Sequence, residues 1–154
     1  MGLIVRTSDI HAIGVFTTQD IPAGSRIVEY TGPHITEDEA ELHLGEREET
    51  YLFSLAGGQT IIDGTGVAAF INHSCDPNCE TNEADGRVWI IALRDIGAGK
   101  ELAYDYNLYD GDDADLAPCR CGAPQCRGTM YGEEELARRN VLQHPAKPQL
   151  AGIR

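Results

Sequence analysis

Short apolar runs separated by glycine and proline turns dominate much of the chain. Short, largely apolar and β-prone patches lie at positions 3–6 and 15–16, and a Pro-Ala-Gly turn then leads into Arg26-Ile-Val-Glu-Tyr30. A similar turn at 95–99 precedes Lys100-Glu-Leu-Ala-Tyr104. Runs of this kind, bounded by turn residues, favour strands joined in hairpins. The pattern therefore predicts a small β meander near the N-terminus and a second hairpin-like unit late in the chain.

The middle of the chain carries further strand signals. Tyr51-Leu-Phe-Ser-Leu55 and Thr60-Ile-Ile62 are separated by Gly57-Gly58, and Arg87-Val-Trp-Ile-Ile-Ala-Leu93 has the strongest strand pattern of all. β-Branched and aromatic residues in short runs fit a pleated, half-buried surface. We therefore predict a fold that is mainly β with short helices.

Two segments carry helix signals. Thr36 and Glu39 form a capping box that opens a helix from Glu37 to about Arg47, and its many acidic residues predict a mostly exposed helix. A second helix is predicted from Glu133 to Leu142. The Pro-containing tail from His144 to Arg154 is expected to pack only lightly.

The length and composition indicate one compact domain. The chain has 154 residues, of which 42% are apolar, so it is long enough to bury a core. It contains no apolar run of about 18 residues that would span a membrane, and no basic-then-apolar leader. We expect an intracellular protein, cytoplasmic or nuclear depending on the host, with no membrane association.

The charge balance is strongly acidic. Asp and Glu number 25 against 12 Lys and Arg, which gives a formal net charge of −13. Such a field repels nucleic-acid backbones and attracts cationic partners, so direct nucleic-acid binding is not expected. The charge permits a basic substrate without requiring one, because a role in solubility alone is equally compatible with it.

Potential chemistry is concentrated in a ten-residue stretch from Phe70 to Cys79. An apolar pair there runs into Asn72, His73 and Cys75, and an Asp-Pro-Asn sequence then turns the chain sharply. The arrangement fits polar groups held at the end of a buried element. By itself it fits equally well a capped strand or helix end with two ordinary core cysteines.

The cysteines suggest a metal site. Five is an odd number, unlike the even count of most secreted disulfide scaffolds, and Cys119, Cys121 and Cys126 fall within eight residues. Three thiolates at this spacing can bind a tetrahedral Zn²⁺ that needs a fourth ligand from elsewhere. Either Cys75 or Cys79 could supply it, and we favour Cys75; reduced cysteines without metal are the alternative.

Three motifs taken together resemble a known family. Asn72-His-Ser-Cys75, Glu101-Leu-Ala-Tyr-Asp-Tyr106 and the late cysteine cluster resemble, in order and spacing, the SET domain with its post-SET zinc segment. The resemblance covers roughly Ile10 to Met130. It implies a protein-lysine N-methyltransferase that uses S-adenosylmethionine and zinc, built from several small β-sheets with a knot-like C-terminal segment. It also implies three parts, a SET domain over 1–108, a post-SET zinc segment over 109–132 and a C-terminal helix and tail over 133–154.

The resemblance assigns the cofactor-binding residues and reveals two departures. Ala12 replaces the first glycine of the family's Gly-X-Gly turn, which is tolerable if Ala12 keeps a negative φ. Ala69 lies in a segment where the family usually has a polar residue and an arginine, and lost hydrogen bonds there would weaken cofactor binding. The residues matched to the cofactor site are Ile13, Gly14, Asn72, His73, which uses largely its backbone, and Tyr106.

Three tyrosines match the family's active site. Tyr106 matches the catalytic tyrosine, Tyr51 a second active-site tyrosine, and Tyr104 a position that is Phe or Tyr in different members. Tyrosine at that last position accompanies addition of one or two methyl groups in the family, so we predict mono- or dimethylation. A half-buried strand residue is an equally ordinary interpretation of Tyr104.

The resemblance also bears on the metal and the substrate. It implies that Cys75 joins the three late cysteines around zinc and that Cys79 is a free thiol. The insert between Tyr30 and Tyr51 stands where the family builds one wall of its peptide groove, and its acidity would favour a basic, lysine-containing protein such as a histone tail; a solvated helix face is the alternative. The sequence does not predict an oligomeric state, and a catalytically silent, zinc-stabilised peptide-binding module remains the alternative function. The acidic residues of the insert are Glu37, Asp38, Glu39, Glu41, Glu46, Glu48 and Glu49.

Overall fold

The computed structural model describes residues 2–47, 51–109 and 114–143, with the backbone alone for 140–143. Glu48, Glu49 and the tail 144–154 lie outside the described residues. Ten strands and two α-helices occur within these ranges, together with a 3-10 helix at Val67–Phe70. The strands are β1 (Leu3–Thr7), β2 (Ile13–Thr17), β3 (Arg26–Tyr30), β4 (His34–Thr36), β5 (Leu52–Ser54), β6 (Thr60–Asp63), β7 (Asn72–His73), β8 (Cys79–Ala84), β9 (Arg87–Ala92) and β10 (Ala103–Tyr104), and the α-helices are α1 (Glu37–Glu46) and α2 (Glu133–Gln143).

The predicted N-terminal meander forms only in part, because β1 and β2 make a hairpin but β3 pairs with β9 in a separate sheet. Strands β1 and β2 pair antiparallel, with Leu3 opposite Thr17. The two similar turns face each other, because Ile21 and Ile96 exchange two backbone hydrogen bonds of 2.8 Å. The hairpin-like units predicted separately are therefore one paired structure.

A five-stranded sheet carries the centre of the fold. Its order is β3-β9-β8-β10-β7, with β8 and β9 antiparallel and β10 parallel to both of its neighbours. Ala103 pairs with Asn72 and Tyr104 with His73. The late segment that carries Tyr106 therefore passes between two earlier strands and emerges next to the Asn72-His73 pair.

Helix α1 begins where the capping box predicts. The Thr36 side chain accepts a hydrogen bond of 3.2 Å from the Glu39 backbone N–H, and Ala40 is the helix residue buried against the three-stranded sheet β4-β6-β5. The rest of the helix is largely exposed, as predicted. Arg47, at its end, forms an ion pair of 3.0 Å with the buried Asp63 carboxylate, which anchors the helix to β6.

Two strands had no signal in the sequence. Strand β8 reads Cys-Glu-Thr-Asn-Glu-Ala, and only Cys79 in it is buried. It forms because all six of its residues pair with β9 in an antiparallel ladder. This pairing stabilises β8 although its sequence lacks the alternation of apolar and polar residues that is typical of a strand. Strand β4 is only three residues long and is likewise held by its pairing with β6.

The main core lies between the N-terminal hairpin and the five-stranded sheet. Val15, Ile71, Val88, Ile90 and Leu102 are fully buried in it. Alternate residues of β9 point inward, as expected of a sheet with one face on the core. None of the helices in the described part of the chain is long and apolar enough to cross a bilayer.

Candidate active site and metal centre

A cavity of about 720 Å³ opens between the β1–β2 turn, the 3-10 helix and the late cysteine segment. Its volume is in the range of small-molecule sites, about 300–1,000 Å³. Apolar groups line much of it, and a few polar side chains converge on it. The lining residues are Ile10, His11, Ala12, Ile13, Tyr51, Ala69, Phe70, Asn72, His73, Tyr106, Pro118, Cys119, Arg120 and Met130.

The Asn72 side chain fixes the turn that forms one wall of the cavity. Its amide nitrogen donates to the Ile13 carbonyl and to the Glu101 carboxylate, both at 2.9 Å. The Ser8 hydroxyl donates to Glu101 at 2.8 Å and accepts from the Ile10 backbone N–H at 3.0 Å. The buried amide and the Ser8–Glu101 pair therefore hold both ends of the turn.

Gly14 must be glycine in this arrangement. A Cβ at this position would lie 2.2 Å from a Glu101 carboxylate oxygen and 3.0 Å from the Asn72 amide nitrogen. Any side chain would therefore separate the turn from the groups that hold it. The second glycine of the family's turn is thus explained by packing.

Ala12 has a positive φ, whereas alanine is tolerable at this position of the turn with a negative one. The φ is 33°, in the left-handed region, so Ala12 does not meet that condition. The backbone of a Gly-X-Gly turn is retained here although the residue is alanine. A left-handed conformation costs a non-glycine residue roughly 1–2 kcal/mol, so the turn is held against strain by the contacts of Asn72.

Replacing Ala12 with Gly is expected to leave the free energy of unfolding unchanged or raise it by about 1 kcal/mol, because relief of strain outweighs the added flexibility of the unfolded chain. Ala98 is a matched control: it is also an exposed turn residue, its φ is not positive, and Ala98→Gly should destabilise the protein. Urea denaturation of both variants tests this. Equal destabilisation by the two substitutions would contradict the strain.

The predicted tyrosines lie at different depths. Tyr106 and Tyr51 line the cavity, and Tyr51 packs edge-on against Phe70 with ring centroids 5.1 Å apart. The Tyr106 hydroxyl donates to the Ile71 carbonyl, and burial raises the pKa of Tyr106, so the phenol is protonated at neutral pH. Tyr104 is buried behind Tyr106, with ring centroids 4.9 Å apart, and contributes to the core.

Four cysteine sulfur atoms converge beside the cavity. The Sγ atoms of Cys75, Cys119, Cys121 and Cys126 all lie within 4.8 Å of one another, and those of Cys75 and Cys119 are 3.8 Å apart. A tetrahedral Zn²⁺ with Zn–S distances of about 2.3 Å places its sulfur ligands roughly 3.8 Å apart. The donor set therefore fits zinc, and Cys79 is not part of it.

The surrounding backbone favours thiolates at this centre. Each of the four sulfur atoms accepts at least one backbone N–H, and four such bonds have distances from 3.3 to 3.5 Å. Burial alone would raise the pKa of Cys121, but N–H donors from Cys75 and Ala123, together with neighbouring thiols, outweigh it and lower the pKa to about 6. At Cys75 and Cys119 burial outweighs the N–H donors, and the pKa of each thiol is raised. The donors of these bonds are the backbone nitrogens of Cys75, Cys121, Arg127 and Gly128.

His73 lies between the cysteine cluster and the cavity. Its Nδ1 atom accepts a hydrogen bond of 2.9 Å from the Tyr106 backbone N–H, and its Nε2 atom lies 3.4 Å from the Cys75 sulfur. The ring is 2% exposed. Burial lowers the pKa of His73 to about 4, so the imidazole is neutral at physiological pH.

A second link joins the same two sites. The Arg127 guanidinium donates two hydrogen bonds, of 2.9 and 3.0 Å, to the Asp105 carboxylate. Burial alone would raise the pKa of Asp105, but the guanidinium outweighs it and the pKa is lowered. The Arg127 backbone N–H also donates to the Cys75 sulfur. Arg127 therefore connects the cysteine cluster to Asp105, the residue that precedes Tyr106.

The structure thus brings most of the predicted site residues to one place. Residues of the Ala12–Ile13 turn, the Asn72-His73 pair and two of the tyrosines surround the cavity, and four cysteines converge beside it. The sequence motifs assign no individual role to Ser8 or Glu101. One sequence feature indicates a structural role for Glu101: its carboxylate directly precedes the apolar Leu-Ala-Tyr run. A charged group next to a buried segment needs a hydrogen-bonding or ionic partner.

Comparisons with known proteins agree with this geometry. The family model described as "SET domain" matches residues 12–107. The chain is 42% identical over 139 residues to "Histone-lysine N-methyltransferase, H3 lysine-4 specific" of Saccharomyces cerevisiae, covering 80% of this chain and 12% of that protein. It is 40% identical over 139 residues to the protein of the same name from Aspergillus fumigatus, covering 80% and 11%, and 37% identical over 134 residues to "Histone-lysine N-methyltransferase trr" of Drosophila melanogaster, covering 80% and 6%.

These relatives are much longer than this chain. The matched part covers 12% of the length of the Saccharomyces cerevisiae protein. The family model, by contrast, covers more than half of this chain, from Ala12 to Asn107. Its limits include β2 to β10 and end just after Tyr106. The chain belongs to the SET domain family.

Proposed function

We propose that this chain is an S-adenosylmethionine-dependent protein-lysine N-methyltransferase that acts on a basic protein tail, specifically that of a histone. The observation that carries the proposal is the convergence of Tyr51, Asn72, His73 and Tyr106 on one cavity walled by the Ala12–Ile13 turn. The curated relatives named above are histone-lysine methyltransferases, which supports the same reaction class.

The reaction makes simple demands on the protein. S-adenosylmethionine supplies a methyl group on a sulfonium, which an amine displaces in line. The chain must therefore aim a neutral lysine amine and exclude water. Free lysine has a pKa of about 10.4, and an apolar channel favours its neutral form. The apolar lining around Phe70 and Ala69 provides such surroundings.

Tyr106 orients groups in this proposal and does not act as a base. Its hydroxyl is held by the Ile71 carbonyl, and a raised pKa keeps the phenol protonated. The oxygen of Tyr106 can still accept a hydrogen bond from the amine. Tyr51, which packs edge-on against Phe70, is proposed to line the same channel.

The finer assignments are also proposals. Ile13, Gly14, Asn72, His73 and Tyr106 would hold the cofactor. One zinc ion would be bound by the four clustered cysteines and would organise the segment 109–132 against the SET domain 1–108. The acidic helix α1 would favour the basic substrate, because its exposed carboxylates attract Lys and Arg. The proposed zinc ligands are Cys75, Cys119, Cys121 and Cys126.

Transfer of labelled methyl groups tests the reaction. Zinc-loaded protein is incubated with S-adenosylmethionine that carries a labelled methyl group, with core histones in one reaction and a basic non-histone protein in another. We expect label in histones and little in the other protein. Binding of histone peptides without transfer, together with no heat of S-adenosylmethionine binding in calorimetry, would instead identify a silent peptide-binding module.

Tyr104→Phe is expected to shift the products toward higher methylation. Tyr104 does not itself line the cavity but is buried against Tyr106, so loss of its oxygen would let the Tyr106 ring shift away from the amine. Mass spectrometry of a histone peptide before and after the substitution gives the ratio of mono-, di- and trimethyllysine. Trimethyllysine as the main product of the unaltered protein, or an unchanged ratio in the variant, would contradict this role.

A further inference from the structure

We propose that the His73 side chain is a positioning residue that joins the metal centre to Tyr106, with one ring nitrogen serving each. This inference rests on the proposed function for its catalytic consequence. It goes beyond cofactor contact by the His73 backbone, because it gives the imidazole ring a task of its own. The argument starts from the hydrogen bond at Nδ1.

The direction of that bond fixes the tautomer. The Tyr106 backbone N–H lies 2.9 Å from Nδ1 and can only donate, so Nδ1 must accept and carries no proton. A neutral imidazole then holds its single proton on Nε2. The Nε2–H group lies 3.4 Å from the Cys75 sulfur, a distance suited to an N–H donor and a thiolate acceptor.

Neighbouring charges favour this tautomer. The Asp105 carboxylate lies 3.6 Å from Nδ1 and would draw a proton to that side if it were free. It is instead occupied by two hydrogen bonds from Arg127 and one from the Asn107 backbone N–H. Nδ1 is therefore left to accept from Tyr106.

The ring is rigid and tightly enclosed. It is 2% exposed, and the Tyr106 ring packs edge-on against it with centroids 5.4 Å apart. Because one planar ring contacts the Cys75 thiolate at one nitrogen and the Tyr106 backbone at the other, displacement of the sulfur moves the backbone of Tyr106. A shift of about 1 Å in an active-site group can reduce a rate about 100-fold.

Two substitutions separate the halves of this link. In His73→Asn the side-chain oxygen can replace Nδ1 as acceptor for Tyr106, but the donor to Cys75 is lost. In His73→Gln the longer amide can replace the Nε2–H donor to Cys75, but the acceptor for Tyr106 is lost. The readouts are kcat and KM with a histone peptide, zinc release to a chelator, and the charge-transfer absorption of the Co²⁺-substituted protein.

We expect the two variants to fail in opposite ways. His73→Asn should weaken zinc binding about 10-fold or more and shift the Co²⁺ spectrum, as loss of a hydrogen bond to a metal ligand does, and the zinc-loaded variant should lose less kcat than His73→Gln. His73→Gln should retain zinc and the Co²⁺ spectrum and lose about 10-fold in kcat. Equal loss of both properties in both variants, or loss of neither, would overturn the proposal.

Nitrogen-15 NMR of the unaltered protein gives a test that needs no variant to fold. The His73 ring should show the Nε2–H tautomer, and replacement of zinc by Cd²⁺ should perturb both Nε2 and the Tyr106 amide. An Nδ1–H tautomer would overturn the proposal. The NMR and metal readouts do not depend on methyl transfer, so an inactive protein with the expected tautomer would contradict only the proposed function.

Discussion

Tyr106→Phe is expected to lower kcat about 100-fold or more, a typical cost of removing one hydrogen-bonding group aimed at a reacting centre. The substitution removes the hydroxyl that donates to the Ile71 carbonyl at the wall of the cavity. The ring and its contacts with His73 and Tyr104 remain, so binding of S-adenosylmethionine should change little. Steady-state kinetics with a histone peptide, together with calorimetric titration of the cofactor, measures both quantities.

Tyr131→Phe is the matched control. The Tyr131 hydroxyl also donates to a backbone carbonyl, that of Asp115, at 3.0 Å, and the side chain is 3% exposed, but it does not line the cavity. Each substitution should cost about 1 kcal/mol in the free energy of unfolding, as for one lost hydrogen bond. If both variants retain activity within a few-fold of each other, Tyr106 has no special role in the reaction.

Cys121→Ala is expected to reduce the zinc content from about one ion per chain to near zero, because three thiolates cannot complete a closed tetrahedral site. Structural zinc contributes on the order of 10 kcal/mol to the folding of the segment it organises. Without it, residues 114–132 should lose their fixed position beside the cavity, and methyl transfer should fall sharply. Metal analysis, hydrogen exchange over this segment and the transfer assay measure these effects.

Cys79→Ala provides the control for this substitution. Cys79 is 1% exposed, burial raises the pKa of its thiol to about 11, and it lies outside the sulfur cluster. The variant should retain about one zinc per chain and lose about 1 kcal/mol of stability from the small cavity. Loss of zinc from Cys79→Ala, or full retention by Cys121→Ala, would contradict the proposed ligand set.

Local signals in the sequence were sufficient for most elements. The Thr36–Glu39 capping box predicted α1 to within a residue at each end, because the cap contact depends only on residues close in the chain. The β-branched run of β9 was equally reliable, since its alternate side chains fill the core. The order and spacing of the Asn-His-Ser-Cys, Tyr-Asp-Tyr and late cysteine motifs indicated the family before any geometry was available.

Contacts between distant segments could not be predicted in the same way. Strand β8 has almost no apolar pattern, and its position depends on pairing with β9. The hydrogen bond between Ser8 and Glu101 joins residues 93 positions apart. The positive φ of Ala12 likewise follows from the contacts of Asn72 with the turn, which no local propensity encodes.

We propose that the protein transfers methyl groups to a lysine side chain bound in the cavity beside Asn72 and Tyr106. Tandem mass spectrometry of histones incubated with zinc-loaded protein and S-adenosylmethionine tests it most directly. We expect lysine carrying one or two added methyl groups, formed more slowly by Tyr106→Phe, by about 100-fold or more. Folded, zinc-bound protein that leaves every histone lysine unmodified, or a Tyr106→Phe variant that modifies them equally, would contradict it.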